Sequence, residues 1–338
     1  MVKIDFVLPW VDGSDKEWLA LKRKYEGAPS SGDAMANADI HYRDYGLLRY
    51  WFRAVERFAP WVNRVFFVTC GQRPEWLNPE CPRLRLVDHK EYIPAEYLPT
   101  FHSNTIELNL HRLPDLSEHF VLFNDDIFLL REVEPDFFFK GGKPVLDCNL
   151  GIPDWLGCSN TSHMVLNNCG ILKRSLDVEA LIWKNIFKFM DVRSLGFARA
   201  AKNLASIAVN RTYIPGTFGH LACSHLKSTF EEIWQVQPRI MEKTSQSRFR
   251  TDCCVNHWLA LAWNMVSGRF APANNRRLGK FISLGEDTLD CACATIKNQS
   301  APVICINDKA SDSDLNLCFS RLSAAFEKIL PEKCSFEK

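Results

Sequence analysis

The sequence predicts an α/β fold with a mostly parallel, Rossmann-like sheet. At 338 residues, with 46% apolar and 24% charged residues, the chain has the composition of a globular protein and can bury a large core. Short, wholly apolar runs alternate with amphipathic helical stretches, which is typical of parallel strands that helices cover on both faces. Polar residues directly follow these runs, at the sheet edge where ligands bind in such folds.

The first part of the chain contains the clearest elements. Strands are predicted over residues 3–10, 64–69, 85–87 and 120–123. A helix capped by Ser14 or Asp15 follows the first strand and runs to about Tyr25. Apolar side chains recur at helical spacing over 45–58, and a further helix is predicted over 104–113.

The middle of the chain, over 132–215, is less regular and is predicted to form an additional, partly helical subdomain. Its helices, over 178–190 and 194–209, carry five basic residues, Lys184, Lys188, Arg193, Arg199 and Lys202. A basic face of this kind suits an anionic polymer or a membrane surface, and an ordinary solvated face is the favoured alternative.

The last third returns to regular structure. Helices are predicted near 226–241, 252–266 and 312–329, and a strand over 302–306. We therefore divide the chain into an α/β part at 1–131, an insert at 132–215, and a remainder of the same catalytic domain at 216–338.

Charge and hydropathy argue against two classes of protein. The 41 Lys and Arg residues balance 40 Asp and Glu residues, so no net field attracts nucleic acid. No run of about 18 apolar residues occurs, and Asp5 and Asp12 interrupt the stretch where a signal peptide would need an apolar core. We expect a cytoplasmic protein whose thirteen cysteines are reduced and mostly buried. Zinc at Cys253-Cys254 or at Cys291 and Cys293 is less favoured, because neither pair has C-x2-C spacing.

Two acidic features stand out. Asn124-Asp125-Asp126 directly follows an apolar strand, and two adjacent carboxylates at a strand end suit Mg2+, although such pairs also occur in caps and exposed turns. Asp5 lies within an apolar strand, where a carboxylate is costly unless it is hydrogen-bonded. It therefore binds a ligand, such as a base or ribose, or ties down a neighbouring loop.

Two further segments could act on phosphate or on a proton. Glu107 lies one helical turn from Ser103 and His111 and could serve as a general base. The alternative, which is commoner, is that Glu107 and His111 form an ordinary surface pair at i and i+4. His220, Lys227 and the run Arg248–Arg250 lie near predicted helix starts, where phosphate binds readily. A structural histidine is the alternative for His220.

Four blocks, in order, resemble the Stealth family, which includes bacterial capsule phosphotransferases and the animal lysosomal-enzyme N-acetylglucosamine-1-phosphotransferase. IDFVLPWVDGSD (4–15) resembles the first block, and VICIND (303–308) resembles the fourth. The second spans 43–77 and 99–129, and the third spans 219–263. The resemblance leaves the insert uncovered and implies a glycosyltransferase-A-like form of the α/β fold.

The resemblance implies transfer of a hexose-1-phosphate, such as N-acetylglucosamine-1-phosphate, from a nucleotide-sugar to a hydroxyl of a capsular or exopolysaccharide. A UDP-sugar is the expected donor, and a nucleoside monophosphate is released. The insert would be the acceptor region, and peripheral contact with the inner face of the membrane or with capsule assembly machinery is compatible with this role. The rivals are a metal-dependent glycosyltransferase that transfers sugar without phosphate and a non-catalytic sugar-binding subunit.

The resemblance also assigns roles to residues. The residues implied to be catalytic are Glu107, Asp126, His220 and Arg250. Those implied to bind substrate are Asp5, Trp10, Asp12, Gly13, Arg43, Asn124, Lys227 and Asn256. Mg2+ or Mn2+ would be held by Asp125, Asp126 and Asp308. The chain departs from the family at Ala222, where proline is common, and at Cys254, where an acidic residue is usual; either Asp252 replaces that acid or its contact is missing.

Overall fold

A computed structural model of the chain describes residues 2–26, 42, 46–151, 160–208, 218–309 and 315–338. The strands are β1 (Ile4–Pro9), β2 (Val65–Thr69), β3 (Leu84–Asp88), β4 (His119–Leu122), β5 (Ile127–Leu129), β6 (Phe139–Lys140), β7 (Lys143–Asp147), β8 (Cys223–Leu226), β9 (Ala271–Ala273), β10 (Lys280–Leu284) and β11 (Val303–Asp308).

Helices cover and connect these strands. The α-helices are α1 (Lys16–Tyr25), α2 (Leu48–Phe58), α3 (Ser103–Leu108), α4 (Pro135–Phe138), α5 (Asn160–Ser175), α6 (Val178–Lys184), α7 (Ile186–Phe189), α8 (Val192–Leu195), α9 (Phe197–Ala208), α10 (Lys227–Val236), α11 (Pro238–Gln246), α12 (Trp258–Val266), α13 (Asn275–Leu278), α14 (Glu286–Lys297) and α15 (Leu315–Ile329). Short 3-10 turns lie at His89–Glu91, Ala95–Tyr97 and Leu110–Arg112. Within the described ranges, no helix is long and apolar enough to cross a membrane.

The central sheet has five strands in the order β3-β2-β1-β4-β8. β1 runs parallel to β2 and β4, and β2 runs parallel to β3, whereas β8 is antiparallel to β4. The predicted α/β class with a mostly parallel sheet is therefore confirmed.

Both faces of this sheet are buried. Phe6 and Phe67 face one hydrophobic core, while Val7 and Phe66 face the other. Successive side chains of a strand point to opposite faces, so a strand buried on both sides must be apolar throughout. Phe6, for example, packs its ring 4.8 Å from that of Phe123. This is the physical origin of the apolar runs in the sequence.

A second sheet, in the order β10-β11-β5, brings the last third of the chain to the first. β11 is parallel to β10 and antiparallel to β5. The backbone N–H of Ile306 donates a 2.8 Å hydrogen bond to the carbonyl of Asp126. The polar end of β11, Asn307-Asp308, therefore lies beside the acidic turn that follows β4.

The insert is mainly helical within the described ranges, but it also contains strands. β7 pairs in parallel with β9, from the last third of the chain, and antiparallel with β6. The helix predicted over 178–190 is two helices that meet at Asn185, and Gly196, with φ of 79°, separates α8 from α9. The division of the chain at 131 and 215 stays a prediction.

Several boundaries in the last third differ from those predicted. The helix expected over 226–241 is two, because Pro238 starts α11 at a break after α10. The helix expected over 252–266 begins only at Trp258. The expected strand at 302–306 and closing helix are present as β11 and α15. Within the described ranges every cysteine is free and most are buried, which confirms that part of the prediction.

Asp5 has hydrogen-bond partners within the protein. It is fully buried in the amino-terminal half of β1, away from the strand's carboxyl end. Its carboxylate accepts hydrogen bonds from Asn63 Nδ2 at 2.6 Å and from the Ser117 backbone N–H at 2.8 Å. These contacts favour the alternative that Asp5 ties down neighbouring loops, and its substrate-binding role stays a prediction.

Replacing Asp5 by Ala should destabilise the fold without affecting donor binding. The change leaves the partly buried Ser117 N–H and Asn63 amide without an acceptor, which costs roughly 2–4 kcal/mol of unfolding free energy. Chemical denaturation measures this loss. Asn63→Ala is the matched control and should cost less, since it removes only one donor. Normal stability combined with a raised KM for the donor would contradict this role.

Candidate active site

A cavity of about 530 Å³ opens at the carboxyl ends of the parallel strands. Its walls include Trp10 after β1, Cys70 after β2, His89 after β3 and Asn124 after β4. In an open α/β sheet the carboxyl ends of the parallel strands lie at one edge, where the following loops can form a binding crevice. The cavity therefore lies at the edge of the sheet where the sequence predicts the site.

Most of the predicted site residues meet in this cavity, although they come from distant parts of the sequence. The predicted residues that line it are Trp10, Glu107, Asn124, Asp125, Asp126, His220, Arg250, Asn256 and Asp308. The fold therefore brings together the acidic turn, the α3 carboxylate, the His and Arg segments and the end of β11.

Asp12 and Gly13 do not line the cavity; they shape the turn behind it. The Asp12 carboxylate accepts hydrogen bonds from the backbone and hydroxyl of Ser14, at 2.9 and 2.6 Å. A Cβ atom on Gly13 would lie only 1.9 Å from the carbonyl oxygen of Tyr42, a cavity residue. These contacts favour a role for both residues in supporting the wall, and the expected direct contacts with substrate stay a prediction. Asp15, as predicted, caps α1.

Lys227 lies at the opposite end of the sheet. Because β8 is antiparallel to β4, its last residue, Leu226, pairs with His119 at the start of β4. Lys227 follows at that end, and its Nζ donates a 2.6 Å hydrogen bond to the carbonyl of Leu113. Lys227 therefore does not line the cavity, and its role in binding phosphate stays a prediction. Arg43, also predicted to bind substrate, lies outside the described residues.

The centre of the site is the contact between Asp126 and His220. Asp126 Oδ2 lies 3.4 Å from His220 Nε2, and Asn124 Nδ2 lies 3.4 Å from the same nitrogen. The thiol of Cys305, on β11, donates to Asp126 Oδ2 at 3.3 Å. One carboxylate thus links the turn after β4, the His220 segment and the second sheet.

This contact shifts both groups toward their charged forms. Burial opposes ionisation of Asp126, but the hydrogen bond and charge of His220 outweigh it and hold its pKa below the usual value. Burial likewise opposes the charged form of His220, yet the Asp126 carboxylate raises the pKa of the imidazole. His220 is therefore set up as a cation held against a carboxylate.

Glu107 is shifted in the other direction. Its side chain is buried, and this burial raises its pKa to about 7, although the charges of Arg250 and His220 oppose the rise. The Arg250 guanidinium donates to Ser103 Oγ at 2.9 Å, one turn before Glu107 on α3. A carboxyl group that titrates near neutrality can accept a proton during catalysis.

The acidic side of the cavity has donors that fit a hard divalent cation. Asp125, Asp126, Asn307 and Asp308 line the cavity. The ligating atoms that lie within 4.8 Å of one another at this place belong to Asp126, His220 and Cys305. Asp126 Oδ1 is buried and has no hydrogen-bond partner among the described residues, although a buried carboxylate oxygen requires one. Oxygen ligands of this kind are those that Mg2+ and Mn2+ prefer.

A second cluster of ligating atoms lies behind the cavity wall. Donor atoms of Cys223, His225 and His257 lie within 4.8 Å of one another. His225 Nε2 and His257 Nδ1 are 3.1 Å apart, and burial lowers the pKa of both rings. These soft and borderline donors include no carboxylate, whereas the group at Asp126, His220 and Cys305 includes one.

The remaining wall is aromatic. Trp10 stacks on Phe67 with ring centroids 5.5 Å apart, and Trp18 packs 5.0 Å from Tyr42 and 5.6 Å from Phe101. Trp10, Trp18, Tyr42 and Phe101 all line the cavity. Flat apolar faces of this kind can pack against a planar ring of a ligand. This part of the cavity therefore differs in chemistry from the charged part.

The sequence matches known proteins over its full length. Family models for Stealth protein conserved regions 1 and 2 match residues 2–29 and 41–145. The receptor polysaccharide phosphotransferase WefC of Streptococcus oralis and the capsular polysaccharide phosphotransferase WcwK of Streptococcus pneumoniae are each 38% identical to the chain, over 100% of both sequences. The exopolysaccharide phosphotransferase cps2G of Lactiplantibacillus plantarum is 35% identical over 99% of this chain and 96% of its own. The chain belongs to the Stealth family.

Solved structures align more weakly with this Stealth-family chain. The galactosyltransferase LgtC aligns over 95% of both chains with 10% identity and a TM-score of 0.42. The glycosyltransferase GlyE of Streptococcus pneumoniae aligns over 98% of this chain and 63% of its own, with 7% identity and a TM-score of 0.43.

The departure at Cys254 lies outside the cavity. Cys254 is buried, its sulfur is 3.1 Å from Thr251 Oγ1, and its carbonyl accepts a hydrogen bond from Asn167. Asp252 is exposed and does not line the cavity either. In this Stealth-family chain, neither residue therefore adds a carboxylate to the cavity wall.

Some cavity residues were not predicted from the sequence. Cys305, Asn307, His257 and Ser103 contact predicted site residues or line the same walls. Asn307 and His257 each adjoin a predicted residue, so adjacency could have identified them. Cys305 could not have been found in this way, because its role depends on the pairing of β11 with β5.

Glu107→Gln should stabilise the protein above neutral pH. The pKa of Glu107 is about 7 in the folded protein, against a usual value of 4.5. Between pH 4.5 and about pH 7, Glu107 therefore keeps its proton in the folded state and loses it in the unfolded state. Wild-type stability therefore falls as pH rises through this window, by up to about 3 kcal/mol, and glutamine cannot ionise.

Thermal unfolding at about pH 8 and about pH 5 tests this linkage. The variant should gain stability at the higher pH and little at the lower. Glu332→Gln, at an exposed position, is the control and should show neither effect. An equal change at both pH values would show that the ionisation of Glu107 is not what the substitution removes.

Proposed function

We propose that this chain transfers a sugar-1-phosphate from a nucleotide-sugar to a hydroxyl of a surface polysaccharide, releasing a nucleoside monophosphate. The observation that carries the proposal is the arrangement of one cavity: an acidic wall, a buried His220–Asp126 pair, Arg250, and a carboxyl group with a pKa near 7. Full-length relatives that are named as polysaccharide phosphotransferases support the same reaction class.

Phosphoryl transfer requires charge to be neutralised on the transferring oxygens and the reacting groups to be held in line. Arg250 and the protonated His220 are the cationic side chains placed for this work. The guanidinium of Arg250 can donate two parallel hydrogen bonds to phosphate oxygens. The Nε2–H of the protonated His220 is held by the Asp126 carboxylate, which leaves the Nδ1–H to donate to a phosphate oxygen.

Glu107 is the residue that we assign as general base for the acceptor hydroxyl. Its raised pKa gives a base strength matched to neutral pH. His220 is less suited to accept that proton or to attack phosphorus, because Asp126 favours its protonated form. The structure thus supports a division of roles that the sequence leaves open: Glu107 accepts the proton, and His220 carries positive charge.

Asp126, with Asp125 and Asp308, would hold Mg2+ or Mn2+. A bound divalent cation supplies charge neutralisation on a diphosphate and helps to orient it. The aromatic wall formed by Trp10, Trp18, Tyr42 and Phe101 would receive the base of the nucleotide, with a UDP-sugar as the expected donor.

The identity of the leaving group decides the proposal. Incubation with a panel of nucleotide-sugars, a polysaccharide acceptor and Mg2+, followed by phosphorus NMR, should show a nucleoside monophosphate and a new phosphodiester. Removal of divalent ions by a chelator should stop the release, and Mn2+ or Mg2+ should restore it. Release of the nucleoside diphosphate would instead show transfer of sugar without phosphate, and binding without turnover would show a non-catalytic protein.

Changes at the two titrating residues should affect the pH profile differently. Glu107 must be ionised, so kcat/KM should rise through about pH 7; His220 must be protonated, so kcat/KM should fall at higher pH. Glu107→Gln should reduce the rate by roughly 10²–10⁴ and remove only the rising limb. His220→Gln should remove only the falling limb. If Glu107→Gln keeps near-normal turnover, the assignment of the base is wrong.

A further inference from the structure

Helix α9 exposes an apolar face. Phe197 is 78% exposed and Leu204 is 44% exposed, seven residues apart on the same side of the helix. The alanines that share this face, at 201, 205 and 208, are exposed as well. Residues spaced by three and four positions form one stripe along a helix. An apolar stripe normally faces a core, whereas here it faces outward.

The other side of α9, which faces the protein, is partly polar. Asn203 is fully buried, and its amide donates to the carbonyls of Cys148 and Phe189 at 3.1 and 3.0 Å. Its oxygen accepts from the backbone N–H of Leu150 at 3.0 Å, and Ser206 is buried beside it. These hydrogen bonds fix the rotation of the helix, so the outward position of its apolar stripe is specified rather than incidental.

The neighbouring helices extend this apolar surface. α7 and α8 both pack against α9. Phe187, on α7, is 81% exposed, and Val192, on α8, is also exposed. We refer to Phe187, Val192, Phe197 and Leu204 as the apolar patch. Large exposed apolar side chains that gather on neighbouring helices mark interaction sites in soluble proteins.

The patch is flanked by positive charge. Between residues 178 and 208 the chain has five basic residues and two acidic ones, Glu179 and Asp191. Lys184, Arg193 and Lys202 are exposed. The last turn before β10 adds more, because Arg277 donates to the carbonyl of Arg193 at 3.1 Å. Large apolar side chains bordered by Lys and Arg are the composition of a helix that lies in a membrane interface.

We propose that the apolar patch docks this protein on an anionic lipid bilayer, with Phe187 and Phe197 entering the headgroup region and the flanking cations contacting lipid phosphates. Stacking of sugar rings on Phe187 and Phe197 would leave the exposed aliphatic side chains of Val192 and Leu204 without a partner. A second copy of the chain would bring the same positive charges together, which opposes association. The inference does not depend on the proposed reaction, because lipid binding requires no donor or turnover.

Flotation with lipid vesicles tests the proposal directly. The full chain should bind vesicles that contain phosphatidylglycerol more tightly than vesicles of phosphatidylcholine alone, and added salt should weaken binding. The double variant Phe187→Glu/Phe197→Glu should bind the anionic vesicles about tenfold less, or more weakly still, because it replaces two inserting rings by negative charge. Lys184→Ala/Arg193→Ala should reduce binding and its dependence on salt.

The matched control is Val236→Glu/Leu317→Glu, which alters two exposed apolar residues on other helices. It should bind vesicles as the wild type does. Circular dichroism and thermal unfolding, compared among the variants, exclude misfolding as the cause. The proposal is overturned if wild type and Phe187→Glu/Phe197→Glu bind anionic vesicles equally, or if sedimentation shows that the substitution abolishes a dimer and leaves lipid binding unchanged.

Discussion

The pairing of β11 with β5 is the contact on which the candidate site depends. It joins residues 127–129 to residues 303–305, and the hydrogen bond from Ile306 to the Asp126 carbonyl continues it to the acidic turn. Without this pairing, Asp308 and Cys305 would have no fixed position relative to Asp126. The central sheet provides one half of the acidic wall, and the second sheet closes the other half against it.

This arrangement collects ionisable groups in a buried place, where each would be unfavourable alone. Asp126 and His220 compensate each other, whereas burial shifts Glu107 toward its neutral form. Such opposite shifts within one cavity are common where residues have different tasks in catalysis. The stability of the surrounding core, with its closely packed aromatic rings, offsets the cost of burying these ionisable groups together.

Much of the fold could be predicted because its strands are buried on both faces. The apolar runs around Phe6 and Phe66 have no other simple explanation, and they located the strand ends where the site lies. β8 was not predicted, since its four residues include a buried serine and histidine and no apolar alternation. Its antiparallel direction, which sequence patterns do not show, is the reason that Lys227 points away from the cavity. For Asp5, the sequence showed that the carboxylate needed partners but could not show that Asn63 and Ser117 supply them.

Within the candidate site, the acidic turn could be predicted from its residue types. Glu107, His220 and Arg250 were predicted as catalytic residues from the family resemblance. Neither could give the direction of the pKa shifts, which depends on burial and on which charges face each other across segments about a hundred residues apart in the chain.

The pairing of β7 with β9 has a consequence for engineering. The insert supplies β7, but its parallel partner, Ala271–Ala273, is encoded more than a hundred residues later. Exchanging residues 132–215 between relatives, in order to build chimaeric enzymes that act on other polymers, would therefore separate β7 from its parallel partner β9. That separation leaves an unpaired strand edge. A workable exchange would move both pieces together, so the smallest transplantable unit is discontinuous in the gene.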